Sequence, residues 1–139
     1  MAKSRTLSMN MATFEADVRS HFDEDVASVR FTAGSEAANK RTVTMQVIDR
    51  VKVPWASRFL VEVWIQATLG GDPSATGNTV AWVSGNVTET VLPMGHWRII
   101  TDANGAASFD LTIAGAATRY FGSAVRGIVK VSDSFAWSA

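Results

Sequence analysis

Between Arg58 and Ala67 the chain alternates. Phe59, Val61, Val63 and Ile65 fall on one side of an extended backbone and Leu60, Glu62, Trp64 and Gln66 on the other. A helix would scatter the first set around its circumference, so this period of two predicts a strand with one buried face. Thr42 to Asp49 repeats the pattern, with Val43, Met45 and Val47 on one face and Thr44, Gln46 and Ile48 on the other. Gly70, Gly71, Asp72, Pro73, Ser74 and Gly77 then supply a loop of turn residues. Shorter strands are predicted at Thr79 to Val83 and Asn86 to Val91, with Ser84 and Gly85 as the turn between them.

Further on, Trp97 and Ile99 alternate with Arg98 and Ile100, and Phe109, Leu111 and Ile113 alternate with Ser108, Asp110 and Thr112. Asp102-Ala103-Asn104-Gly105 lies between them and offers an Asx turn and a residue tolerant of positive φ, so the unit reads as a β-hairpin. Thr118 to Ala124 is predicted as another strand and Ile128 to Ser132 as the next. Arg126-Gly127 fits a turn between those two, and a continuous strand through Val125, Val129 and Val131 fits the alternation as well. About seven to nine short strands with turn signals roughly every 8 to 12 residues predict an all-β antiparallel sandwich.

The amino-terminal region has a different texture. Phe14, Val18 and Phe22 recur every four residues, Asn10 or Thr13 can cap, and Glu15 and Asp17 suit a first helical turn. Asp23, Glu24 and Asp25 oppose the dipole at the far end, so the amphipathic helix is expected to stop near His21 or Phe22, with Val26 to Thr32 as a short strand. The chain therefore divides into an arm, residues 1–33, and a sandwich, residues 34–139.

The length of 139 residues suits one core, and 13 basic residues balance 13 acidic ones. A zero net charge with scattered cations argues against nucleic acid as a partner. No apolar run reaches the roughly 18 residues of a membrane helix, and no leader-like stretch follows Lys3 and Arg5, so no membrane partner and no signal peptide are expected. The chain has no cysteine, which removes thiolate metal sites and cysteine nucleophiles.

Only His21 and His96 offer imidazole chemistry. His21 with Asp23 and Asp25 lacks a second imidazole for a metal site and reads better as a solvated acidic segment. His96 with Asp102 and Ser84 or Ser108 lacks a nucleophile elbow, and Asp102 is better explained as the start of its turn. Glu62, Glu89, Asp102 and Asp110 each suit an exposed strand position rather than a glycosidase pair. Gly70-Gly71 has no phosphate-binding lysine or helix after it, and the sequon Asn86-Val87-Thr88 reads as chance without a leader.

Five tryptophans are many for this length. Trp97 shares a face with Ile99 and is assigned to the core. Trp64, beside Leu60, Glu62 and Gln66, and Trp55, in the connection after Val53-Pro54, are the interface candidates.

From Ala33 onward the chain resembles small tailed-phage virion proteins with an immunoglobulin-like β-sandwich. The resemblance runs through Ala33-Gly34-Ser35-Glu36-Ala37-Ala38-Asn39 and Thr42-Val43-Thr44-Met45-Gln46-Val47 to Asp49. It continues in Leu60-Val61-Glu62-Val63-Trp64-Ile65, Thr101-Asp102-Ala103-Asn104-Gly105, Phe109-Asp110-Leu111-Thr112, Thr118-Arg119-Tyr120 and Val129-Lys130-Val131-Ser132. It departs at Asp49-Arg50-Val51-Lys52, where the family usually has an Asp-x-x-Gly turn. The resemblance implies a non-enzymatic capsid-decorating or other virion accessory role, with no catalytic residue, cofactor or metal. The expected partners are the major capsid protein or neighbouring virion subunits, with self-association as a further option, and the expected location is the virion, assembled in the host cytoplasm. The interface is expected at Phe14, Val18 and Phe22 of the arm and at Trp55 and Trp64. A carbohydrate-binding module on the virion, or a tail or neck component, is the alternative.

Overall fold

The apolar half of each alternating segment is what the molecule is built around. The computed structural model describes residues 26–138, so the expected arm helix, with Phe14, Val18, Phe22 and the His21, Asp23, Asp25 group, lies outside the described residues. Ten strands occur among them: β1 (Ser28–Ala33), β2 (Lys40–Ile48), β3 (Leu60–Gln66), β4 (Asn78–Ser84), β5 (Asn86–Leu92), β6 (His96–Ile100), β7 (Ala106–Ile113), β8 (Ala117–Val125), β9 (Ile128–Val131) and β10 (Phe135–Trp137). One sheet has the order β1-β2-β7-β4 and the other β10-β8-β3-β6-β5, with β9 also on β8; these strand pairings are antiparallel.

This is an immunoglobulin-like sandwich. Taking β1, β2, β3, β4, β7, β8 and β9–β10 as strands A, B, C, D, E, F and G, the first sheet reads A-B-E-D and the second places G and C on either side of F. Val43, Met45 and Val47 of β2 and Phe109 and Leu111 of β7 are buried against Val61, Val63 and Ile65 of β3, Trp97 and Ile99 of β6 and Phe121 of β8. Ser28–Ala33, which the sequence reading grouped with the arm while predicting a strand there, pairs with β2 from Ser28↔Ile48 to Ala33↔Val43 and belongs to the first sheet.

Two turn predictions resolve differently. Arg126 and Gly127 both have positive φ, at 50° and 79°, and close a two-residue hairpin between β8 and β9. The turn at Asp102–Gly105 forms as its residues predict: Asp102 Oδ1 accepts the Asn104 and Ala106 amides at 2.8 and 3.0 Å. The strands it joins do not form a hairpin, because β6 lies in the second sheet and β7 in the first. Turn chemistry fixes a local reversal, whereas the partner of each strand is set by long-range burial.

β9 and β10 line one edge of β8, interrupted at Ser132. There Ser132 Oγ accepts the Phe121 amide at 2.9 Å, and the Ser132 amide donates to the Phe121 carbonyl at 2.8 Å. The carboxyl end is tied to the opposite sheet by Trp137 Nε1 donating to the Leu111 carbonyl at 3.3 Å and Arg41 Nε donating to the Ala136 carbonyl at 2.9 Å. Arg119, also buried, donates to Asn78 Oδ1 and to the Thr76 and Thr118 carbonyls at 2.9 to 3.0 Å, and burial pushes its guanidinium below its ordinary pKa.

After β2 the chain turns at the place where an Asp-x-x-Gly sequence would be expected. Asp49 Oδ1 accepts the Val51 and Val53 amides at 3.0 and 2.9 Å, and Lys52 takes the fourth position at φ 68°. The turn is kept with a lysine where glycine would be unstrained. Lys52→Gly is expected to raise unfolding free energy by about 0.5–1 kcal/mol, the relief of left-handed strain exceeding the added unfolded-state entropy. Urea unfolding of the two proteins checks this; a less stable variant would contradict it.

Candidate functional site

The two outer faces of the sandwich differ in chemistry. On the first sheet Thr42 Oγ1 donates to Asp110 Oδ1 at 2.6 Å, Lys40 lies 3.8 Å from Asp110, and Ser84 and Ser108 hydroxyls pair at 3.0 Å. Hydroxyls and charges fill that surface. The second sheet is covered differently.

Its strand registers set Val131, Gly122, Trp64, His96 and Leu92 in one row across the outer face. The neighbouring row is Val129, Ala124, Glu62, Arg98 and Glu89. Trp64 is half-buried because its indole lies across Gly122: a Cβ at that glycine would stand 2.0 Å from Nε1 and 2.1 Å from Cε2. The absent side chain makes the seat for the ring. On its other flank the indole meets the His96 ring edge-on at 5.6 Å between centroids.

Charges frame this ring. His96 Nε2 is 2.6 Å from Glu62 Oε2, and Arg98 donates to Glu89 Oε1 at 2.5 Å while its Nε lies 3.9 Å from Glu62 Oε1. Around them Leu60 is 62% exposed, Val129 63% and Val131 39%, and none of the three belongs to the core. An aromatic held flat, exposed aliphatic neighbours and internally paired charges make a surface suited to contact with another surface.

The sequence candidates distribute as follows. Trp64 and Leu60 are on this face as their alternation predicts. Trp55 is elsewhere: it is half-buried, edge-on to Phe59 at 5.3 Å and covered by the Arg126 guanidinium at 4.7 Å. Its indole is largely occupied in packing the end of the sandwich, so as an interface residue it ranks below Trp64. The His96 triad is not assembled. His96 pairs with Glu62, Asp102 is spent on its turn, and Ser84 and Ser108 bond each other in the opposite sheet. Glu62 and Glu89 share Arg98, while Asp110 is on the first sheet. Among the described residues, no group of three or more acidic or histidine side chains is placed to hold a metal ion.

Sequence reading missed Gly122, Val129, Val131 and the Glu62–His96 pair as parts of one face. The signal was partial: His96 and Arg98 alternate in phase with Glu62 and Trp64, which would face them only if β3 and β6 are neighbours. A second location borders the arm. A groove of about 510 Å³ runs between β1 and β9–β10, lined by Arg30, Phe31, Lys52, Lys130 and Phe135 among others, and an adjoining one reaches Val26.

No family model matches the chain. No curated protein matches it either. One solved structure, "Crystal structure of yeast GGA1_GAE domain-P21", is similar at 8% identity over 83% of this chain and 93% of that chain, with a TM-score of 0.37. At that distance the fold rests on the strand order described above, and the neighbour adds nothing about the site.

Gly122→Ala is expected to push the Trp64 indole off the sheet at a cost of about 1–2 kcal/mol, since the ring can swing where backbone could not. In an amide NMR spectrum the indole signal that moves most should be the one missing from Trp64→Phe. If all five indole signals keep their positions, Trp64 does not rest on Gly122.

Proposed function

We propose that this chain is a non-enzymatic structural protein of a tailed-phage virion, attached to the capsid through protein–protein contacts. The observation that carries the docking part is the outer face of the second sheet, where Trp64 is laid on Gly122 beside exposed Leu60, Val129 and Val131. Strand faces turned to water normally carry polar side chains, as the first sheet of this protein does. Exposed apolar side chains gathered on a strand face mark interaction sites, and tryptophan is among the residues enriched at binding hot spots. The virion context comes from the resemblance of residues 33 to 132, whose motifs fall in β2, β3, β7, β8 and β9 and the turns between them.

In this reading the capsid subunit or a neighbouring virion protein covers the Trp64 face, and residues 1–25 supply a second anchor that joins the sandwich at Val26 beside the basic groove. No catalytic residue, cofactor or metal is assigned. A carbohydrate-binding role is the second reading. It is favoured by Tyr120 sharing the outer face of β8 with Gly122, the seat of Trp64, so that a second aromatic lies on the same face opposite Gln66.

Binding of the purified full chain to undecorated capsids tests the proposal. Trp64→Ala is expected to weaken binding at least about tenfold, at a stability cost of the order expected for Gly122→Ala, and Leu60→Asp with Val129→Asp to weaken it about as much with the unfolding midpoint little changed, because Leu60 and Val129 are exposed and lie outside the core. A chain starting at Val26 keeps β1 whole and measures the arm separately. Unchanged binding by both face variants would overturn the assignment of the face. Loss of glycan binding on Trp64→Ala, with no capsid binding in any form, would favour the second reading.

A further inference from the structure

A β-sandwich leaves strand edges open, and three of the four edges here carry devices that discourage another strand from pairing. β1 presents Arg30 and borders the groove that holds Lys52 and Lys130. The β9–β10 edge is broken at Ser132 and carries Lys130, and β10 is only three residues long. β5 has two register irregularities against β6, between Val87 and Glu89 and between Thr90 and Leu92, and bears Glu89. β4 is the least guarded. Asn78–Ser84 has no charge and no proline, and its register against β7 is continuous from Asn78 to Trp82, with a single irregularity between Trp82 and Ser84.

The outward backbone of β4 is also weakly satisfied. The Val80 amide points away from β7 and is met at 3.2 Å by the Met94 thioether, a poor acceptor compared with a carbonyl. Met94 is itself 40% exposed and sits at φ 62° in the β5–β6 turn, so it can yield that position. By the alternation of an antiparallel edge, Trp82 presents its backbone in the same direction as Val80.

We infer that the outer edge of β4, on which no strand pairs among the described residues, pairs with β4 of a second copy, joining two sandwiches through one continuous antiparallel sheet. The strand is its own complement. About a dyad at Ala81, Val80 of one copy and Trp82 of the other exchange backbone hydrogen bonds on each side of the axis, and every position meets an uncharged one. A chain of zero net charge adds no long-range repulsion against this approach. Ala81 is exposed, faces the outside of the first sheet opposite Asp110, and lies on the dyad where the two copies come closest. The inference is independent of the virion reading, because it concerns a different sheet and a different partner.

Sedimentation equilibrium of the full chain over a concentration series tests it. The wild type is expected to dimerise, and Ala81→Glu to raise the dimer dissociation constant at least about tenfold, since two glutamates then meet on the dyad beside Asp110. Ala81→Lys should do the same through paired lysines, and it gains Asp110 as a neighbour, so it keeps the test available if the glutamate variant folds poorly. Mixing the two variants should restore association. A wild type that stays monomeric up to about 200 µM, or variants that associate like the wild type, would overturn the inference. In the first case β4 would be left to a strand from another protein; in the second the dimer would lie on another surface.

Discussion

Phe109 touches rings from both sheets, and the rest of the sandwich is arranged around that contact. From β7 it meets Phe121 of β8 at 5.8 Å and Trp97 of β6 at 6.2 Å across the core, and Trp82 of its own sheet at 5.0 Å. Phe121 extends the row to Phe31 at 5.5 Å and Phe135 at 5.4 Å, while Trp82 closes it against Trp97 at 5.5 Å. A row of rings this wide sets the spacing between sheets along its whole length, because aromatic side chains bury large areas and cannot be compressed. It also dictates phase: once Phe109 and Phe121 point inward, every odd position of β7 and the neighbouring inward positions of β8 are committed, and the outward positions follow.

That commitment explains why the surface residues are informative. Thr42, Ser108 and Asp110 on one outer face, and Leu60, Trp64 and Val129 on the other, occupy equivalent positions relative to the core and contribute little to it. Packing does not require one face to carry hydroxyls and charges and the other a tryptophan and exposed aliphatics among its paired charges. Gly122 sharpens the contrast, since a central strand loses packing and gains backbone entropy cost with glycine, yet here the glycine holds a tryptophan on the outside of the sheet. A residue placed where it weakens a strand in order to seat an outward aromatic belongs to the surface's chemistry rather than to the fold's.

The inner faces were legible because alternation is a local property. Val43, Met45 and Val47, the set from Phe59 to Ile65, and Phe109, Leu111 and Ile113 are all buried as their spacing predicts, and Trp97 is core. Pairing was not legible. Asp102–Gly105 announces a turn in both a hairpin and a crossing between sheets, and only the burial of β6 against β3 and of β7 against β2 separates the two. The same gap hid the site. Trp64 could be assigned to an outward face, but Gly122 and His96 are 58 and 32 residues away, and they become its neighbours only through the registers of β8 and β6. The surroundings of Trp55 were hidden for a related reason: Arg126, 71 residues on, covers its ring.

The edges complete the picture that the faces begin. Soluble sandwiches commonly guard their open edges, and among the described residues this one places charge at β1, β9–β10 and β5, whereas β4 has only the irregularity after Trp82 and the Met94 thioether over its Val80 amide. A chain that can guard three edges has the means to guard the fourth: one lysine at Ala81 or Thr79 would do so without touching the core. The uncharged strand and the exposed aliphatics around Trp64 are both placed at positions the fold leaves free. They lie on different sheets and point in different directions, so a single flat partner does not cover both. Under the two proposals, a subunit would join its own copy along β4 and rest its other sheet on its support, and the two contacts would not compete for the same surface.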